Sequence, residues 1–147
     1  MAIDSAELSQ IAAEAQDIAR NVSQPPGTHH LLLATFTVPG PADVLLRERG
    51  CDEDKVLQEL AADRTAPPEP PDLFADALER ARQLADDCGS AQASGLHLLV
   101  ALTRLSRSSA AHLLEKTAAP VASLRTTALG YLTGSIIPLD GGGQYIH

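Results

Sequence analysis

The chain has 147 residues, enough for one ordinary domain or two small halves that share a core. Its formal net charge is −8 and its pI about 4.9, so it lacks the basic face that supplies most nucleic-acid affinity, and no nucleic-acid partner is expected. Aromatic residues are confined to Phe36, Phe74, Tyr131 and Tyr145, and the apolar content is mostly Ala and Leu. That composition predicts close-packed helices and argues against strands.

The N-terminus, "MAIDSAELSQ", is acidic and carries no apolar signal core. No stretch approaches the roughly 20 apolar residues of a membrane span, so a cytoplasmic protein with no membrane partner is expected. Cys51 and Cys88 form no CxxC and read as two reduced thiols.

The predicted helices follow in chain order. The first covers Ser5 to Val22, with Leu8, Ile11, Ala12, Ala15, Ile18 and Ala19 at three- and four-residue spacing. Pro25-Pro26-Gly27 interrupts it, and Thr28 is the expected cap of a second helix from His30 to Thr37. Pro41 opens a third helix that stops at Gly50, and Asp52 caps a fourth over Glu53 to Asp63. "TAPPEPPD", 65–72, has four prolines in eight residues and reads as a stiff, extended spacer. A fifth helix runs Leu73 to Cys88, with Asp72 as its expected cap and Gly89 as its stop. A sixth starts at Ser94 or Gly95, a seventh covers Ser108–Lys116 and an eighth Pro120–Leu132. "LDGGGQ", 139–144, belongs to a glycine-rich tail with no phosphate-loop lysine.

These segments repeat. "AQDIAR" (15–20) aligns with "ARQLAD" (81–86), "HLLLAT" (30–35) with "HLLVAL" (97–102), and "DVLLRE" (43–48) with "AHLLEK" (111–116). The expected architecture is therefore all-α: two four-helix repeats related by a pseudo-twofold axis and packed into one domain. The first repeat spans 1–64, the linker 65–72, the second repeat 73–133 and a flexible tail 134–147.

His30 and His97 fall at matching places, one residue before paired leucines. A repeated His at the start of a buried helix reads as structural, its ring bonding a backbone carbonyl of the preceding turn. Zinc needs three or four converging ligands, and the sequence has no HExxH and no Cys/His cluster, so no metal is expected. His29 is not repeated, since Leu96 stands opposite, and it is expected to face away from His30. A metal enzyme or small hydrolase built on His29, His30 and His112 is the competing catalytic reading. No nucleophile elbow or nucleotide loop supports it, so no enzyme, cofactor or catalytic residue is assigned.

"GTHHLLLA" and "SGLHLLVAL", each behind an amphipathic helix such as "ALERARQLADDCG", resemble the two signatures of the Clp N-terminal domain. That family is a double-repeat helical module at the front of Clp ATPases, and the resemblance covers about residues 5–133. It implies a non-catalytic module that recruits protein substrates or adaptors to a Clp unfoldase, either free-standing or as part of the ATPase. By resemblance the partner-binding surface is Thr28, His29, Ser94, Gly95 and Leu96, at helix starts that offer free backbone N–H groups. The family's signature Glu, which helps read phosphoarginine, is replaced by His29 and Leu96. Weak or no phosphoarginine binding follows, with a less acidic surface that suits a hydrophobic or mixed peptide. A small-ligand site in the groove between repeats is the alternative binding reading.

Overall fold

The computed structural model describes residues 2–62 and 69–134. Most of the tail, and residues 63–68 at and just before the linker, lie outside that range.

The described residues form eight helices and one pair of two-residue strands. β1 is Ile3–Asp4 and α1 is Ala6–Asn21. Ser5 ends the strand in extended conformation and caps the helix, its hydroxyl accepting the Leu8 N–H at 3.0 Å. Then follow α2 (Thr28–Thr35), α3 (Pro41–Glu48) and α4 (Glu53–Ala62). Pro41 opens α3, where its missing N–H costs nothing, and Gly50, at φ +77°, stops it. Asp52 accepts the Lys55 N–H at 2.9 Å and starts α4.

After the linker come α5 (Leu73–Asp87), β2 (Gln92–Ala93), α6 (Gly95–Arg104), α7 (Ser109–Thr117) and α8 (Val121–Leu132). Gly89, at φ +70°, ends α5 where a side chain would be strained. Ser108 caps α7 by accepting the Ala111 N–H at 3.0 Å. Asp72 does not cap α5: its backbone is already helical and its carboxylate makes no cap hydrogen bond. Thr28 is likewise inside α2, with Gly27 at the cap position.

α2 and α6 carry the core. Residues 30–35 and 95–103 are buried on every face, as expected of helices that are apolar all round. Leu31, Leu32, Leu98, Leu99 and Leu102 fill the centre with Leu8, Ile11, Leu45, Leu46 and Leu114. α1 lies along α2 and α5 along α6. α7 packs on α2, α4 and α6, while α8 covers α6. Each motif helix is thus clasped by elements from both sides of the linker.

The strand pair was not anticipated. It is parallel, with Ile3 opposite Gln92 and Asp4 opposite Ala93, and "Ile-Asp" is too short to carry a periodic signal. It sets the starts of α1 and α6 side by side. Arg82 brackets it, donating from Nε to Asp4 at 2.8 Å, and this hydrogen bond holds the Asp4 carboxyl below its ordinary pKa. The pair is partly exposed, so Arg82→Ala is expected to cost no more than about 1 kcal/mol in urea unfolding. Cys51 and Cys88 are free thiols, Cys51 buried with Sγ 3.3 Å from the Thr117 hydroxyl.

Candidate functional site

The starts of α2 and α6 are built alike. Gly27 precedes α2 and His30 is its third residue; Ser94 precedes α6 and His97 is its third residue. The Gly27 N–H donates to His30 Nδ1 at 2.9 Å, and the Ser94 N–H to His97 Nδ1 at 3.0 Å. Each ring is the reaching-back half of a capping box, a place usually taken by Glu or Gln. The rings are buried, His30 at 1% and His97 at 2% exposure. The sequence reading placed a structural imidazole here, but as a donor to a carbonyl; in both boxes the ring nitrogen accepts from an amide. Bonding at Nδ1 puts the proton on Nε2, which in His30 lies 3.0 Å from Gln24 Oε1. His97 Nε2 is buried with no hydrogen-bond partner among the described residues.

The first helix turn still has unsatisfied amides, and two distant carboxylates take them. Glu69, in the linker, accepts the Thr28 N–H at Oε2 (2.6 Å). At Oε1 it accepts the Thr28 hydroxyl (2.6 Å) and the N–H and hydroxyl of Ser109, both at 2.9 Å. It thereby ties the start of α2 to the start of α7. Glu7, two residues into α1, accepts the Gly95 N–H at 2.7 Å, delivered there by the β1–β2 pairing. Its other oxygen is buried, unpaired among the described residues, and lies against Gly40 at the start of α3. Each carboxylate joins an element before the linker to one after it.

The electrostatics of the two differ. Burial opposes charge on Glu69, but its hydrogen bonds outweigh that and hold its pKa below the ordinary carboxylate value. Burial pushes Glu7 up, and the single Gly95 bond offsets this only in part.

His29 does not turn away from His30. The ring centroids lie 3.9 Å apart, and His29 Nδ1 lies 3.0 Å from the Ser109 hydroxyl. Burial lowers the pKa of His29, His30 and His97; with His29 beside it, His30 is depressed from 6.5 to about 4. The cluster of Ser109, His29 and Glu69 places the carboxylate on the serine rather than on the outer nitrogen of the imidazole. In a hydrolytic triad the histidine lies between the other two, so this carboxylate does not orient the ring as a base. His112 is exposed and makes no hydrogen bond or ring contact with His29 or His30. Among the described residues, no group of three or more His, Cys, Asp and Glu is placed to hold a metal ion. No helix of the described residues is long and apolar enough to cross a membrane.

The surface expected from Thr28, His29, Ser94, Gly95 and Leu96 is largely closed. Thr28 is 0% exposed, Gly95 is buried and Leu96 is 7% exposed, while His29 and Ser94 are half-buried. The amides expected to be free at Thr28 and Gly95 are bonded to Glu69 and Glu7. The region is not without acid, since the fold brings two carboxylates in from elsewhere. No local spacing announces Glu7 or Glu69. A cap at Thr28 misses the capping boxes, although Gly27-x-x-His30 and Ser94-x-x-His97 have the cap-to-third-residue interval that marks them.

Open concavities lie elsewhere. One of about 420 Å³ runs between α1 and the α2–α3 loop, lined by Gln10, Ala13, Glu14, Asp17, Val38 and Pro39 among others. A smaller one of about 110 Å³ lies between α5 and α6, with Arg80, Gln83, Leu84, Asp87 and Arg104. Each is contained in one half of the chain.

A depressed histidine pKa means that the unfolded chain binds more protons between 6.5 and the folded value, so stability present above pH 6.5 is lost as pH falls towards 4. Glu69 adds to this loss below the ordinary carboxylate range. Glu7 opposes it, since a raised folded pKa contributes stability that is lost as pH rises through that pKa. Three histidines and Glu69 outweigh one glutamate, so the thermal midpoint is expected to fall steadily from pH 7 to pH 4 in calorimetry. Comparison with protein-family models and with curated proteins finds no match to this chain.

Proposed function

We propose that the chain is a non-catalytic, Clp N-domain-like docking module of two pseudo-twofold-related repeats, which recruits protein substrates or adaptors to a Clp unfoldase. The observation that carries this reading is the doubled box: a histidine at the third position of α2 and again of α6, each capping its own helix. Each box is joined by a carboxylate that crosses between the halves. A duplicated element used to bind two halves together is scaffold, and the polar groups at its heart are spent on backbone amides. Chemistry needs such groups free and aligned with one another.

What such a scaffold offers a partner is its surface. The concavity beside α1 is lined by the apolar residues Ala13, Val38 and Pro39 and by the acidic Glu14 and Asp17, which suits a polypeptide of mixed character. The matching faces of α1 and α5 differ in charge, Glu14 and Asp17 on one and Arg80 on the other, so the two halves would present different surfaces. The test is functional. Purified chain is added to a Clp unfoldase–protease pair degrading a fluorescent client, and binding to the unfoldase is measured in parallel. Saturable binding with a changed degradation rate is expected. No binding to the unfoldase, with an unchanged rate at micromolar chain, would reject recruitment.

A further inference from the structure

The open concavity beside α1 has a counterpart in the other half. Aligning residues 15–20 with 81–86 sets Glu14 opposite Arg80 and Asp17 opposite Gln83. Carrying the alignment of 30–35 with 97–102 past the helix end sets Thr37 opposite Arg104. The first of each pair lines the concavity beside α1, and the second lines the one beside α5. The same place in the two halves is therefore acidic in one and carries two arginines in the other. None of these six side chains is buried, so the core does not dictate the difference. Among the described residues, the lining beside α1 holds no Lys or Arg.

Glu7 and Glu69 are spent on backbone amides, but Glu14 is not. It is half-buried at the concavity and makes no hydrogen bond or ion pair among the described residues. Asp17 meets Arg20 at 3.3 Å, with both side chains more than half exposed. Such a pair contributes little and gives way readily to another cation. Beside the two carboxylates lie Ala13, Val38 and Pro39. The volume of about 420 Å³ falls among those of ligand-holding clefts, roughly 300–1,000 Å³. We infer that this concavity receives a segment of the docking partner in which a lysine or arginine stands beside an apolar residue. The cation pairs with Glu14 and Asp17, and the apolar group sits against Val38 and Pro39. The partner's part in recruitment rests on the docking reading above; peptide binding at this place does not. Arg80 and Arg104 disfavour the same segment beside α5, so the two halves are not interchangeable. The net charge of −8 attracts any cation over a distance, and the apolar contact fixes where it docks.

The experiment titrates the full chain with a labelled decapeptide of leucine, lysine and serine, and with its counterpart carrying glutamate for lysine. Anisotropy reads affinity and NMR reads the amides of Ala13, Glu14 and Val38. The lysine peptide is expected to bind saturably, to shift those amides and to weaken as salt is raised. Glu14→Arg, which places in α1 the residue type that α5 carries at Arg80, is expected to lower its affinity about tenfold. Asp54→Arg on α4 changes the net charge equally and is expected to lower it far less. Glu14→Gln, which keeps the shape of the side chain, is expected to show a smaller loss and serves if the arginine variant fails to fold. Equal binding of the glutamate peptide, equal losses in Glu14→Arg and Asp54→Arg, or shifts confined to other amides would each overturn the site. So would shifts of these amides that grow with the chain's own concentration, since a second copy would then be the occupant. Failure to bind the unfoldase with peptide binding intact would reject recruitment alone, and an effect on the unfoldase without peptide binding would reject this site alone.

Discussion

Replacing Glu69 by alanine is expected to lower the unfolding free energy by about 2–3 kcal/mol, measured in urea with an unchanged m-value. The carboxylate receives four hydrogen bonds, and its loss leaves the Thr28 N–H and hydroxyl and the Ser109 N–H and hydroxyl without their acceptor. An unsatisfied buried donor costs about 1–3 kcal/mol, and the charged acceptor also complements two helix dipoles. The half-exposed position of Glu69 keeps the total from being larger. Glu69→Gln is expected to lose about 1 kcal/mol, since one oxygen acceptor remains. The Ala110 N–H, which donates to the Thr28 hydroxyl at 3.1 Å, is expected to lose hydrogen-exchange protection in Glu69→Ala.

The second large effect separates the two histidines. His30→Ala is expected to cost about 3 kcal/mol: the Gly27 amide loses its acceptor, Gln24 loses its donor, and a buried ring leaves a cavity. His97→Ala leaves a similar cavity, but the native ring already carries a buried Nε2–H with no partner among the described residues. Removing that group recovers part of the loss, so about 1–2 kcal/mol is expected. Urea unfolding of the two variants side by side reads the difference. A metal-binding pair would in addition gain stability on adding zinc in the wild type but not in the variants.

The helices were legible because their signals are local. Leu8, Ile11 and Ala15 mark the buried stripe of α1, Pro41 and Gly50 bracket α3, and Gly89 stops α5; each acts within a turn or two of where it stands. The repeated histidines His30 and His97 were visible, although the boxes they complete and the direction of their hydrogen bonds were not. What stayed hidden depends on contact between distant segments. Glu7 reaches Gly95 only because two residues of β1 pair with β2. Glu69 reaches Thr28 and Ser109 because the chain just ahead of α5 lies against both helix starts. The angle between adjacent helical residues predicts a His29 that faces away from His30, but at the first turn of α2 the neighbouring start of α7 supplies Ser109 and draws the ring in. The docking surface inferred from Thr28, Gly95 and Leu96 is closed for the same reason: the partners that cover these residues are far away in sequence.

Central to this account is that the buried imidazoles are internal caps, with no proton or metal to handle. Nitrogen-15 NMR of the histidine rings against pH, with and without zinc, reads this directly. His30 is expected to keep its proton on Nε2, to titrate near pH 4 and to ignore zinc. A His30 ring that titrates near 6.5, or whose Nδ1 resonance moves on adding zinc, would contradict it.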